Sequence, residues 1–251
     1  MSKIALCVNI DHIATVRQAR GVGCPDVLEG ARVCEESGAH GITVHLREDR
    51  RHIQDSDVFA LKEVVKGKFN LEMALSDDII AVARLVKPHQ VTIVPEKREE
   101  LTTEGGLDVR THFERIKHVA SLFHDLGVTV SLFIEPDIDT VRLSKEAGAD
   151  YIEIHTGSYC TAFDDQLAEG LAHPQVHEEL SKIISSAEFG RSIGIGINAG
   201  HGLNYDNLPP VLGAPGLEEL NIGFSIIARS IFSGLQSAVK EMLAVISAAT
   251  K

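Results

Sequence analysis

Apolar runs rich in β-branched residues recur along the 251-residue chain at a regular beat. They fall at residues 4–10, 41–46, 69–74, 90–95, 129–135, 151–156, 194–199 and 217–223, and each reads as a strand. Segments of helical period lie between most of them. In 26–37, Val27, Leu28, Ala31 and Cys34 fall at helical spacing, and the pattern stops at Gly38. Residues 55–66 open on Asp55 or Ser56 as an N-cap and end before Gly67. Residues 76–87 begin Ser-Asp-Asp and stop before Pro88. The segments 111–126 and 137–147 end at Gly127 and Gly148. Residues 166–189 are long enough for two helices broken near Pro174, and 225–249 closes the chain. The seventh connection, 201–213, contains Pro209-Pro210 and has room for one short helix at most.

Strand then helix, eight times over this length, predicts a (β/α)8 TIM barrel with extra helical segments, a single domain over residues 1–251. A doubly wound sheet is the rival, but no Gly-rich first turn supports it. Two segments exceed a minimal barrel: 96–109 after the fourth strand and the long sixth helical region. Such length can supply a lid or an oligomer contact.

Charge narrows the partners. The net charge is −12, which argues against general affinity for nucleic acid or an anionic membrane. An anionic ligand needs a local cluster of positive charge or backbone donors. Cys7, Cys24, Cys34 and Cys160 form no CxxC pair, so buried or unreactive thiols are expected. The first nine residues reach polar positions too soon for a secretory segment, and no apolar run spans a bilayer, so cytoplasmic residence is expected.

In a barrel, chemistry gathers at the carboxyl ends of the strands. Here those ends read Asn9-Ile10-Asp11-His12, His45-Leu46-Arg47, Glu72, Pro95-Glu96-Lys97-Arg98, Glu135, Glu153 with His155, Asn198-Ala199-Gly200-His201-Gly202, and Asn221-Ile222-Gly223. Residues two apart share a face, so Asn9 with Asp11, His45 with Arg47, and Glu153 with His155 each point one way. One such residue is as readily a partner in a buried ion pair. Paired polar residues at five of eight strand ends are harder to explain by packing. Several imidazoles and carboxylates around one mouth are equipment for repeated proton transfer. Glu72, in the otherwise apolar Asn70-Leu71-Glu72-Met73-Ala74, is a candidate acid and base with a raised pKa; a counter-ion to Arg47 or a histidine is the alternative.

Asp11, His12, His45, Glu153, His155 and His201 are possible metal ligands, but there is no HxH at a strand end and no HExxH, so no metal is expected. Lys97 reads as a solvated loop charge rather than a Schiff-base lysine. Two features suggest phosphate. Gly200-His201-Gly202 and Gly223 follow the seventh and eighth strands, where barrels bind phosphate with backbone N–H groups; plain turn glycines are the alternative. Arg47, Arg50, Arg51 and His52 follow the second strand, with Thr102 and Thr103 available from the fourth loop; a solvated basic turn paired with Glu48 and Asp49 is the alternative.

The blocks 8–15, 41–52, 70–74, 94–98, 102–108, 152–157 and 198–203 resemble the pyridoxine 5′-phosphate synthase family from the first strand to the last helix. The resemblance implies condensation of 1-deoxy-D-xylulose 5-phosphate with 3-amino-2-oxopropyl phosphate, with release of phosphate and water. The imine then forms between the substrates, so no cofactor, lysine or metal is implied. The resemblance makes His45 and Glu72 proton acceptors, His201 a proton donor, and Glu153 the stabiliser of the transition state. Asn9, Arg20, Gly202, Gly223 and Phe224 are implied to hold the amino-ketone phosphate. Asp11, His12, Arg47, His52 and Thr102 are implied to hold the deoxyxylulose phosphate. The family has histidine after the strand-eight glycine, where this chain has Phe224. A homo-octamer is implied by the same resemblance, and residues 159–174 receive no role. A barrel isomerase or epimerase acting on one sugar phosphate, and a non-catalytic phosphometabolite binder, remain the other readings of the residues themselves.

Overall fold

Eight parallel strands close in chain order: β1 (Ala5–Asn9), β2 (Gly41–Leu46), β3 (Lys68–Met73), β4 (Gln90–Ile93), β5 (Thr129–Ile134), β6 (Tyr151–His155), β7 (Gly196–Gly200) and β8 (Leu217–Ile222), with β8 hydrogen-bonded back to β1. This computed structural model describes residues 4–96, 105–170 and 172–249. Its helices are α1 (Asp11–Arg20), α2 (Val27–Glu36), α3 (Asp55–Val64), α4 (Asp77–Val86), α5 (Phe113–His124), α6 (Ile138–Glu146), α7 (Gly157–Glu169), α8 (Pro174–Ser192), α9 (Leu208–Val211), α10 (Phe224–Ser233) and α11 (Leu235–Ala249). The fold is the expected α/β TIM barrel.

Three helical features differ from the sequence expectation. α1 starts directly after β1, where no helix is predicted. It buries only Asp11, Ile13 and Ala14, so its apolar stripe is one turn long and leaves no readable period. α7 occupies most of the unassigned stretch after β6 and buries Tyr159, Cys160 and Ala162. Pro174 does mark a break, since it opens α8 at its first turn. The closing helix divides at Gly234, whose φ of 80° interrupts it.

Side chains alternate sharply along the strands. Thr43 Oγ1 on β2 donates to Asn221 Oδ1 on β8 at 2.7 Å, and Asn221 Nδ2 donates to Glu153 Oε2 on β6 at 2.8 Å. Neither pair of strands is adjacent, so both bonds cross the barrel interior. By the period of two, Thr43 and His45, Asn70 and Glu72, Gln90 and Thr92, Glu153 and His155, and Glu219 and Asn221 all face inward. The alternate positions are Ile42, Val44, Leu46, Leu71, Met73, Val91, Ile93, Ile152 and Ile154, and all are fully buried. They pack in one core with helix residues such as Val58, Leu61, Ile79, Ile116, Phe123 and Val141. The hydrophobic core therefore lies between strands and helices. The interior, which in this fold is commonly packed with branched apolar side chains, is polar here.

Candidate active site

β1 passes through Ile10 straight into α1, which places Asn9 and Asp11 at the carboxyl end of the barrel. Asn9 Nδ2 donates to Asp11 Oδ2 at 3.1 Å, and Asn9 Oδ1 accepts the Asp11 N–H at 2.9 Å. The other Asp11 oxygen accepts the His45 N–H at 2.9 Å. His45 stands opposite Glu72 in the β2–β3 register. Glu72 is half-buried as a residue, and its carboxyl is buried. Burial, then the nearby Glu153 and Asp11 charges, push that carboxyl well above the usual range; a hydrogen bond with Asn9 opposes the shift.

Glu96, just past β4, ties this side together. One carboxylate oxygen lies 3.6 Å from His45 Nε2 and the other 3.5 Å from Arg47 Nε. The Glu48 N–H donates to the same carboxylate at 2.9 Å. Burial raises the Glu96 carboxyl, but the His45 ring, Arg47 and the Glu48 N–H together outweigh it and hold the group below its ordinary value. His45 Nε2 itself is buried and has no hydrogen-bond partner. Its unsatisfied nitrogen at the mouth is where a ligand hydrogen bond would remove a desolvation cost.

The charged run after β2 divides in two. Arg50 pairs with Asp55 at 2.9 Å and Arg51 with Asp49 at 2.7 Å, so both fix the turn. Arg47 is buried, flanked by Asp49 at 3.3 Å and Glu96. It is no solvated turn charge. His52 Nδ1 accepts the Ile53 N–H at 2.8 Å, which places any ring proton on Nε2. Burial lowers the His52 pKa; Asp11 opposes this, while His45, Arg47 and His12 reinforce it.

Across the mouth lie Glu153, His155 and His201. Burial and then the Glu219 charge raise Glu153 to about 8, against the hydrogen bond from Asn221 and the charge of Lys68. His155 Nδ1 meets Glu135 Oε1 at 2.8 Å, and the Gly106 N–H donates to the same oxygen at 2.7 Å. The His155 ring stands edge-on to His201, with centroids 4.9 Å apart. His201 has φ 78° between two glycines, a conformation rarely adopted by side-chain-bearing residues. Burial, then the adjacent His155, lower its pKa to about 4, with Glu135 opposing. Gly202 is also left-handed, and a Cβ there would come within 2.8 Å of Cys160 Cβ.

Gly223 lies against Asn9: a Cβ on it would sit 2.9 Å from both Asn9 Cβ and Asn9 O. It is the N-cap of α10, so free backbone N–H groups start beside Asn9. Phe224 is 69% exposed, and its ring stands 5.2 Å from that of His12, whose buried Nδ1 lacks a hydrogen-bond partner. Arg20 is exposed at the far end of α1, about 14 Å along the helix from Asp11. Thr102 lies outside the described residues. Sequence reasoning passed over Thr43, Asn70 and Thr92, each two residues before or beside a strand-end residue and inward by the same period. It named Glu96 without seeing that Glu96 joins His45 to Arg47.

Asp11, His45 and Glu72 each bring one possible ligand atom within 4.8 Å of the others. Both Asp11 oxygens already accept hydrogen bonds, and Glu72 is pushed toward its protonated form. Those two conditions suit proton transfer better than cation binding.

Comparison with known proteins now gives the site a family. The sequence pattern described as "Pyridoxal phosphate biosynthesis protein PdxJ" matches residues 6–248. The pyridoxine 5′-phosphate synthase of Geotalea daltonii is 50% identical over 238 residues, covering 95% of this chain and 96% of that protein. That of Geobacter sulfurreducens is 51% identical over the same length, with the same coverage. A solved 4-hydroxy-2-oxoglutarate/2-dehydro-3-deoxyphosphogluconate aldolase superposes with TM-score 0.59 at 16% identity, covering 97% of this chain and 93% of that one, and so shares the fold. With its barrel, its acid–base rim and this similarity along nearly its whole length, the chain belongs to the PdxJ family of vitamin B6 biosynthetic enzymes.

Proposed function

We propose that the chain joins 1-deoxy-D-xylulose 5-phosphate to 3-amino-2-oxopropyl phosphate, closing the pyridine ring of pyridoxine 5′-phosphate with release of phosphate and water. One observation carries this reading. His45 and Glu72 stand in register on neighbouring strands, Arg47 and His52 follow β2, and Gly223 at the start of α10 lies against Asn9, which supports two groups of anion donors at one mouth. Two anchored phosphates would hold two substrates with their reacting carbons over the proton carriers.

In this reading His45 and Glu72 accept protons and His201 donates one. His45 Nε2 has no hydrogen-bond partner, and Asp11 fixes the His45 backbone. Burial raises the Glu72 carboxyl, which suits it to hold a proton and give it back in turn. His201 is neutral in the free enzyme. A phosphate dianion seated at Gly202 and Gly223 would raise its pKa and charge it when substrate is present. Glu153 stabilises charge developing on the condensing intermediate. Asp11, His12, Arg47, His52 and Thr102 hold the deoxyxylulose phosphate; Asn9, Arg20, Gly202, Gly223 and Phe224 hold the other. Backbone N–H groups at Gly223 and Phe224 need no imidazole at residue 224.

The same reading places the enzyme in the cytoplasm as a homo-octamer. Ile231 and Phe232 on α10, 74% and 93% exposed, support association of copies through that helix. The described helices include none long and apolar enough to cross a membrane. The deciding experiment supplies chelator-treated protein with both phosphates. Formation of pyridoxine 5′-phosphate is the expected result, and its absence under saturating substrates overturns the reading.

A further inference from the structure

A run of hydrogen bonds inside the barrel leads to Glu153, and every bond in it points the same way. Thr92 Oγ1 donates to Asn70 Oδ1 at 2.9 Å, and Gln90 Nε2 donates to the same oxygen at 3.2 Å. Asn70 Nδ2 donates to Thr43 Oγ1 at 3.4 Å. The single Thr43 hydroxyl hydrogen goes to Asn221 Oδ1 at 2.7 Å. That leaves Asn221 Nδ2 to donate to Glu153 Oε2 at 2.8 Å. The run passes from β4 through β3, β2 and β8 to β6, and all its members are buried.

The direction is set by the chemistry of the members. A hydroxyl has one hydrogen. Thr43 accepts from Asn70, so its own hydrogen is left for Asn221. The carbonyl end of the Asn221 amide is thereby occupied, and only its NH2 can face Glu153. The other Glu153 oxygen has a different neighbour: a Cβ on Gly200 would fall 2.2 Å from Oε1, so glycine there leaves this oxygen its space. Gly200 opens the turn that carries His201. Oε2 is tied down, and Oε1 lies against the His201 turn.

We propose that Thr43, Asn70 and Asn221 are positioning residues for Glu153, locking the Asn221 amide onto Oε2 so that Oε1 is the oxygen offered to the condensing intermediate. The role offered rests on the ring-closing function above. Bonds aligned head to tail polarise one another, so the last donor, on Glu153, is strengthened by those behind it. Other groups around Glu153 are Glu72 and Lys68 from β3, Glu219 from β8 and Cys7 from β1; Asn198 and Phe133, its register partners on β7 and β5, are neutral. Removing the Asn221 N–H from this setting deprives ionised Glu153 of a donor and leaves those charges in place, so Glu153 holds its proton to higher pH.

The test uses full-length enzyme with Thr43→Val, which keeps the shape and removes the hydroxyl, and Thr43→Ser, which keeps the hydroxyl. Thr43→Val should lower kcat about tenfold, the scale of one charge-assisted hydrogen bond, and leave KM for both phosphates within about twofold. The limb of the kcat–pH profile that is lost in Glu153→Gln should move upward. Thr43→Ser should restore both. Thr92→Val, beyond the 3.4 Å link, should act in the same direction but less. Difference infrared spectra, with the Glu153 carboxyl band identified by its loss in Glu153→Gln, should show that band shifted in Thr43→Val and not in Thr43→Ser. A folded Thr43→Val with wild-type kcat, pH profile and carboxyl band overturns the proposal, as does a loss that Thr43→Ser fails to restore. If Thr43→Val does not fold, an unchanged profile and band in Thr92→Val overturns it. Wild-type enzyme that makes no pyridoxine 5′-phosphate sinks the ring-closing reading instead, and the infrared comparison then decides the hydrogen-bond chain by itself.

Discussion

The inner and outer faces of the strands are made of the same backbone and share almost no chemistry. On β3, Leu71 and Met73 point out into the apolar core, while Asn70 and Glu72 point into the barrel. Each buried Leu, Ile or Val on the outer face contributes about 1.5–3 kcal/mol. The inner face offers no such gain. Burying Glu72 and Glu153 there moves both toward their protonated forms. Stability and reactivity are thus assigned to opposite sides of one sheet. The difference teaches why the chain tolerates a cluster of acids at its centre: the apolar packing that stabilises the barrel lies on the outer face, away from them.

That division is open to challenge at several strengths. Glu72→Gln should cut kcat on the order of 10²- to 10⁴-fold, as for a lost general acid–base group, without lowering the melting temperature. A variant that unfolds and stays active in its folded fraction would reverse the assignment. One residue away, Leu71→Ala should cost about 2–5 kcal/mol in urea denaturation and leave kcat nearly unchanged. A large kcat loss in fully folded Leu71→Ala would show that the two faces are coupled. Arg47→Ala should raise KM for the deoxyxylulose phosphate roughly ten- to a hundredfold, with little effect on the amino ketone. Equal losses for both substrates would reduce the two groups of anion donors to one and favour a single-substrate isomerase.

The last effect expected is on stability against pH. Folded Glu153 keeps its proton up to about 8, while an unfolded glutamate releases it near 4.5. Between those values the folded chain binds the extra proton, so this group makes stability fall as pH rises. Glu153→Gln should flatten that decline. Parallel melting curves for the two proteins across this window would dismiss the raised Glu153 carboxyl.

The strands were legible because a period of two with β-branched residues leaves a plain trace: β2 falls where the pattern put it, and the other boundaries shift by a residue or two. α1 was not legible, because one buried turn makes no period. α7 was missed for a related reason: its first two turns bury only Tyr159, Cys160 and Ala162, too few positions to make a readable period. The candidate site was half readable. Strand-end positions revealed His45, Glu72, Glu153 and His201, because the fold dictates where its chemistry sits. The pairs Glu96–Arg47, Glu96–His45, Asn221–Glu153 and Thr43–Asn221 join residues 49 to 178 positions apart. No local pattern carries such pairings. The separation of Arg50 and Arg51 from Arg47 was equally hidden, because it depends on which carboxylate each guanidinium meets.

The alternation has one more consequence, for how the chain finds its fold. A strand slipped by one residue exchanges its two faces. For β3 that would drive Asn70 and Glu72 among the helices and turn Leu71 and Met73 into the polar interior. Neither side would accept the exchange. A barrel with apolar residues on both faces has weaker means of rejecting such an error. Here the polar residues of the inner face also proofread the register, and a Glu72→Leu chain would lose a check on its own assembly along with the base proposed above.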